Sequence, residues 1–351
     1  MSDDDSTSNT NNNQIFLEKQ PSVATYIKSD ISRGVGKAIN LSQKIIGSVG
    51  GSVLSGITNT VTKLVLVPHT FHIPTHTGKT VCVSETSGSG GSNGTLVIIH
   101  GFGGCSGDYL EFIRMAQYKF KRILTVDLPG HGKSELPEQY CIIPVESSPP
   151  PNIDWFFLSI IEAVSAVITS EENVSLIGVS MGGTAAIKVA AAIPNKITNL
   201  ILSSPAGAPQ DIAEYENACK LFNVKCHQDC SNLIDTLYFR EVHFVENYIM
   251  TLISKERLSS PICEYFRQVF NILGHTYVPY SESELNGITT RTMLVWGSDD
   301  KLFPNKRSVY YKRIPNLHIE HIDKMGHIPM AEDPVMFLEL IERFVSTDST
   351  L

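Results

Sequence analysis

The sequence reads as an α/β protein: a mostly parallel, doubly wound sheet with a helical cap inserted after the sixth strand. Three observations carry that reading. Short aliphatic runs bounded by glycine or proline alternate with amphipathic helical segments, the signature of repeated βα units. Between Ala206 and about Ile288 the β-runs stop and helical periodicity takes over. The alternation then resumes at Thr292 and continues to the C-terminal helix. A chain of 351 residues, 42% hydrophobic and 18% charged, is long enough to bury one large core and carry such an insertion.

The elements follow in order. Thr70 to His76 and Lys79 to Glu85 alternate like an antiparallel pair turned at Thr77-Gly78. After a flexible stretch from Gly88 to Gly94, Thr95-Leu-Val-Ile-Ile-His100-Gly101 is too short for a helix and apolar throughout, as a parallel strand buried on both faces should be. A helix is expected from about Asp108 to Tyr118, and Arg122 to Asp127 is the next strand. A proline-rich loop, Pro144 to Pro151, leads to an amphipathic helix from Asp154 to about Thr169. Strands are expected at 173–179 and at Ile197 to Ser203. In the insertion, helices are expected over Asp211 to Phe222, Leu233 to Phe239, Val242 to Ser254 and Pro261 to Leu273. The core resumes with a strand from Thr292 to Gly297, a helix near Asn305 to Ile314, a strand from Leu317 to Ile322 and a helix from Asp333 to Val345.

One stretch organises the rest. Asn173 to Ile193 is a buried strand, a tight turn and a small-residue helix closed by Pro194, with Gly178-x-Ser180-x-Gly182 at the turn. Such a turn holds its serine in a strained conformation and pushes Oγ out at the carboxyl end of the strand. Side chains at 178 and 182 would collide with crossing backbone, so glycine there is a steric requirement. The alternative is an ordinary strand-to-helix glycine turn, and the surrounding motifs decide between the two.

Those motifs are His100-Gly101-Phe102-Gly103-Gly104, Asp127-Leu-Pro-Gly-His-Gly-Lys-Ser134, Gly178-Val-Ser180-Met-Gly182, Trp296-Gly297-Ser-Asp-Asp300-x-x-x-Pro304 and Gly326-His327. Their identity and order resemble the α/β-hydrolase superfamily, over roughly residues 70 to 207 and 289 to 346, in its serine hydrolase and esterase-lipase branch with a helical lid. The resemblance implies an α/β-hydrolase fold and the triad Ser180, Asp300 and His327. A serine hydroxyl is a poor nucleophile until a base takes its proton, and the base histidine needs a carboxylate to fix its tautomer. Asp299 and Asp300 both end the strand after Trp296; the family spacing to Pro304 selects Asp300. The turn itself supplies one oxyanion donor, the backbone N–H of Met181, and the resemblance places the second at Phe102. Gly101, Gly178 and Gly182 are structural supports. His100, His131 and Asp127 are read as bracing of neighbouring strand ends. A serine at 180 argues against the haloalkane dehalogenase and epoxide hydrolase branches, which use an aspartate there.

The net charge of −8 without a basic run argues against nucleic acid as a partner. Seven cysteines are scattered, with no Cys-x-x-Cys pair, which fits reduced thiols in the cytoplasm; Cys226-His227-x-x-Cys230 has no second pair to complete a zinc site. No cofactor and no metal are expected. The first residues have neither a basic start nor an apolar core, so no secretory signal is expected and the sequons at Asn40, Asn93 and Asn173 are read as unused.

The expected function is hydrolysis of an ester, in particular a lipid or acyl ester, through an acyl-enzyme on Ser180. Leu221, Phe222, Leu237, Tyr238, Phe239, Phe244 and Tyr248 of the lid would line an acyl pocket or merely pack the lid. A peptidase or carbon–carbon bond hydrolase on the same triad, and a non-catalytic lipid-binding or regulatory protein, are the alternatives. The expected division is an acidic, asparagine-rich disordered tail (1–30), an amphipathic segment (31–68), the hydrolase core (69–207 and 289–351) and the lid (208–288). In 31–68, Ile46, Val49, Val53, Ile57, Val61 and Leu64 recur at three or four residues opposite serine, threonine and glycine. That stripe is too polar to span a bilayer. Two readings stay open: peripheral docking on a membrane or lipid-droplet surface, or an arm packed on the hydrolase body.

Overall fold

The aliphatic runs become the strands of one sheet: β1 (His69–Pro74), β2 (Thr80–Ser87), β3 (Asn93–Ile99), β4 (Phe120–Val126), β5 (Val174–Val179), β6 (Asn199–Ser203), β7 (Arg291–Gly297) and β8 (Leu317–Ile322). The computed structural model describes residues 68–140, 151–242 and 244–346. Readings that fall on 1–67, on 141–150 and on the last residues lie outside these. The strand order is β1-β2-β4-β3-β5-β6-β7-β8. Only β1 with β2 and β2 with β4 pair antiparallel; every other neighbour is parallel. The alternation expected of an antiparallel hairpin and the unbroken apolar runs expected of buried parallel strands thus fall where the sequence puts them. In β5 all six residues are buried, as a strand covered on both faces requires.

Ten α-helices complete the described residues: α1 (Leu110–Ala116), α2 (Asp154–Val167), α3 (Met181–Ala192), α4 (Ile212–Phe222), α5 (His227–Leu237), α6 (Phe244–Leu258), α7 (Pro261–Leu273), α8 (Glu282–Asn286), α9 (Pro329–Glu332) and α10 (Pro334–Ser346). None is long and apolar enough to cross a membrane. Helix α2 packs on α3, and α1 on α10, the latter through an edge-to-face pair of Phe112 and Phe337 at 5.9 Å. Phe156 of α2 is fully buried and meets Phe266 of α7 at 4.8 Å. Aromatic contacts therefore join core to insertion, Phe102 with Phe222 at 5.1 Å and Trp155 with Tyr265 at 6.0 Å adding to this one. Removing a buried phenylalanine costs about 3–5 kcal/mol, so these contacts hold the insertion against the core.

In the insertion, one helix start and one helix end differ from expectation. Helix α5 begins at His227, not Leu233, because Asp229 accepts hydrogen bonds from the N–H groups of Lys225 and Cys226, both at 2.9 Å. That polar cap starts the helix a turn and a half before its apolar stripe appears. Helix α6 runs on to Leu258, four residues past the expected end.

Candidate active site

Every polar group of the expected site sits at the carboxyl end of a parallel strand, where a doubly wound sheet presents its sites. Ser180 follows β5 with φ 54° and ψ −118°, one of three non-glycine residues with positive φ among those described. Its neighbours show why the strain is accommodated. A Cβ at Gly178 would lie 2.3 Å from the Gly182 carbonyl oxygen, and one at Gly182 would lie 2.3 Å from the carbonyl oxygens of both Ile99 and His100. Only glycines let α3 come this close to β3 and β5. The turn is closed by Gly183 N–H donating to Ser180 O at 2.8 Å and by Ala206 N–H donating to the same oxygen at 2.9 Å.

Across the cleft, His327 is 2% exposed and Asp300 5%. Nδ1 of His327 lies 2.8 Å from Oδ2 of Asp300. The other oxygen, Oδ1, accepts from the N–H groups of Leu302 at 3.0 Å and Phe303 at 2.8 Å. Asp300 is thus an oriented, fully hydrogen-bonded acceptor, which places the proton on Nδ1 and the lone pair on Nε2. Nε2 is buried without a hydrogen-bond partner, a condition that native structures rarely tolerate without purpose. Phe303 stands edge-on to the ring at 5.0 Å. Asp299 points elsewhere, its Oδ2 accepting from Lys324 N–H at 3.1 Å. Of the two carboxylates the residues left open, the structure brings Asp300 to the histidine.

Ser180 and His327 line one cavity of about 440 Å³, but the unpartnered Nε2 shows that no hydrogen bond joins them here. Such bonds commonly tighten only when substrate is bound. The N–H groups of Phe102 and Met181 donate to no backbone carbonyl among the described loop and turn bonds. Met181 is the first residue of α3, where N–H groups have no intrahelical acceptor and the helix dipole favours negative charge. Gly101 lies directly behind the serine, a Cβ there falling 3.1 Å from that of Ser180.

The bracing groups are fully engaged. The ring of His100 spans Gly101 O, 2.7 Å from Nδ1, and Leu128 N–H, which donates to Nε2 at 3.0 Å. Asp127 accepts from Ser106 and from Lys133 N–H at 2.8 Å. Burial holds both His100 and His131 below the usual imidazole value, His131 at about 3. They are neutral, structural histidines.

A second cavity, of about 540 Å³, also opens at Ser180. Its apolar wall comes from Phe102, Ile153, Phe157, Phe222, Phe266 and Phe270. Of the seven lid residues read as lining a pocket or packing the lid, only Phe222 borders it. Leu237 and Tyr238 border the 440 Å³ cavity, Leu221 borders neither, and Phe239 and Tyr248 are exposed; the side chain of Phe244 lies outside the described residues. The reason is that helical periodicity reveals an apolar face but not what it faces.

A strained Gly-x-Ser-x-Gly turn on a mostly parallel eight-stranded sheet, with a carboxylate and a histidine paired beyond the following strands, is the arrangement of an α/β-hydrolase fold. The chain belongs to the alpha/beta hydrolase family, whose model matches residues 96–340. It is similar to monoacylglycerol lipase ABHD6 of Mus musculus, 22% identical over 277 residues that make up 74% of this chain and 78% of that protein. It is also similar to the proline iminopeptidase of Saccharolobus solfataricus, 22% identical over 277 residues, 73% of this chain and 86% of that one. Among solved structures it matches a bacterial membrane phospholipase A with a TM-score of 0.67 at 21% identity, covering 92% of this chain and 100% of the other.

Proposed function

We propose that this chain is a serine hydrolase of lipid or other acyl esters, with Ser180 as nucleophile, His327 as base and Asp300 as its orienting carboxylate. The observation that carries the reading is the buried, unpartnered Nε2 of His327, fixed by Asp300 and sharing a cavity with Ser180. Oγ of Ser180 attacks the ester carbonyl while Nε2 takes its proton. The N–H groups of Met181 and Phe102 receive the oxyanion as charge develops. The imidazolium returns the proton to the departing alkoxide, and water repeats the sequence on the acyl-enzyme to release the acid.

The ester and lipid preference rests on the larger cavity, whose aromatic and aliphatic wall suits an acyl chain. The names of the relatives span a lipase and a peptidase, so substrate tests must cover both chemistries. For 31–68, which lies outside the described residues apart from Pro68, docking on a membrane or lipid-droplet surface and packing as an arm on the hydrolase body stand as equal readings. A fluorophosphonate probe should label the wild type and not Ser180→Ala. Acyl esters of graded length should turn over where aminoacyl amides do not. Labelling of Ser180→Ala at the wild-type rate would reject the nucleophile, and turnover confined to the amides would reject the ester reading.

A further inference from the structure

One carboxylate outside the triad ties the lid to the histidine loop. Glu332 closes α9, five residues after His327, and is half-buried. Its Oε1 accepts from Gly326 N–H at 2.7 Å. Its Oε2 accepts from Phe239 N–H at 2.8 Å and Arg240 N–H at 3.3 Å. Directly beside this, His327 N–H donates to Leu237 O at 2.8 Å. The backbone from Leu237 to Arg240, which joins α5 to α6, is therefore stitched to Gly326 and His327 by four hydrogen bonds, three of them ending on Glu332. The packing is equally close. A Cβ at Gly326 would lie 2.6 Å from Leu237 O, 2.7 Å from Glu332 Oε1 and 2.7 Å from Phe239 N.

We propose that Glu332 is a positioning residue for His327: its carboxylate fixes the Leu237–Arg240 segment against the histidine loop, making that part of the lid a permanent wall of the catalytic centre. The inference rests on the reading of Ser180, Asp300 and His327 as the triad. Its chemical logic is that Asp300 fixes only the rotation of the imidazole. The height of the ring over the cleft is set by the backbone at 326–327, and that backbone is held on one side by Glu332 and on the other by Leu237 O. A backbone free to shift by about 1 Å would cost roughly 100-fold in rate, because proton transfer needs hydrogen-bond distance. It follows that any opening of the lid bends elsewhere, in α4, α7 or the body of α6, and leaves 237–240 in place.

The test uses the full-length protein with p-nitrophenyl butyrate, a substrate too small to need the acyl cavity. Glu332→Ala and Gly326→Ala attack the junction from opposite sides, one by removing the acceptor and the other by wedging a methyl group into it. Both should lower kcat by about 10- to 100-fold with KM within threefold of wild type. Glu332→Gln, which keeps one oxygen acceptor, should fall between. The low-field proton resonance of the His327–Asp300 hydrogen bond should shift or vanish in the two alanine variants. It should persist in Ile123→Val, a core truncation away from the site. Should Glu332→Ala not fold, Gly326→Ala carries the same test. A kcat within twofold of wild type in the folded variants, or a rise in KM alone, would overturn the proposal. Ser180→Ala separates the two readings: activity there defeats the triad itself, whereas an inactive Ser180→Ala beside a fully active Glu332→Ala defeats only the role of Glu332.

Discussion

Asp300 and Asp299 are adjacent in sequence and opposed in space: one carboxylate lies 2.8 Å from Nδ1 of His327, and the other caps the backbone of Lys324 at 3.1 Å. Replacing Asp300 by Asn keeps the shape but favours the wrong imidazole tautomer, so kcat should fall on the order of 10³- to 10⁴-fold. Asp299→Asn should leave the rate within a few-fold of wild type. Steady-state kinetics on one ester measures both, and equal losses would return the acid role to open question.

The strained serine makes a prediction about stability and activity in opposite directions. Glycine occupies positive φ freely, and relief of a strained backbone position is worth about 1–3 kcal/mol. Ser180→Gly should therefore be inactive yet unfold at a urea concentration no lower than wild type, despite glycine's larger unfolded-state entropy. A clearly lower midpoint would mean that the φ of 54° stores no strain.

How much of this was legible beforehand varies with the range of the interaction. The central strands are readable because burial on two faces writes itself into local runs such as Leu96 to Ile99, the first hairpin because its residues alternate, and the turn at Ser180 because two glycines flank one serine. Asp300 needed the spacing to Pro304, since nothing local distinguishes it from Asp299. Which lid residues face the 540 Å³ cavity was not legible: Phe222 of α4 does, and so do Phe266 and Phe270 of α7, together with Ile153 and Phe157 from the core side. Glu332 was missed altogether, because a carboxylate that caps backbone from a distant segment leaves no periodic or spacing signal.

The neutral histidines predict acid sensitivity. The folded protein holds His131 at about 3 and His100 below its ordinary 6.5, whereas the unfolded chain protonates both near 6.5. For His131 the unfolded state thus binds more protons between about 6.5 and 3, and stability is lost as the pH falls through that window, by about 1.4 kcal/mol per pH unit; His100, lowered by its burial, adds to the loss in the same direction. Urea unfolding at pH 7 and pH 5 should show the loss, and His131→Gln should reduce the slope by about one proton. An unchanged slope would place the acid sensitivity in other groups.

The larger cavity predicts selectivity by chain length. Ala218 of α4 lines it and is buried, so Ala218→Trp should fill it. Hydrolysis of esters with long acyl chains should drop more than tenfold, each displaced methylene being worth about 1–3 kcal/mol, while acetyl and butyryl esters keep their rates. Uniform loss across the series would assign the cavity to something other than the acyl group.

Joining two neighbouring parallel strands takes only about a dozen residues, yet between β6 and β7 the chain runs through residues 204–290. The first residues of that detour still serve the sheet and the serine turn, Ser204 N–H donating to Val295 O and Ala206 N–H to Ser180 O, both at 2.9 Å, so a different cap would have to be spliced in beyond Ala206. Besides refilling the apolar contact that Phe266 makes with Phe156, the graft would have a polar requirement. It must present a carbonyl oxygen where Leu237 now meets His327 and N–H groups where Phe239 and Arg240 now meet Glu332, or the borrowed specificity would arrive with a misaligned base.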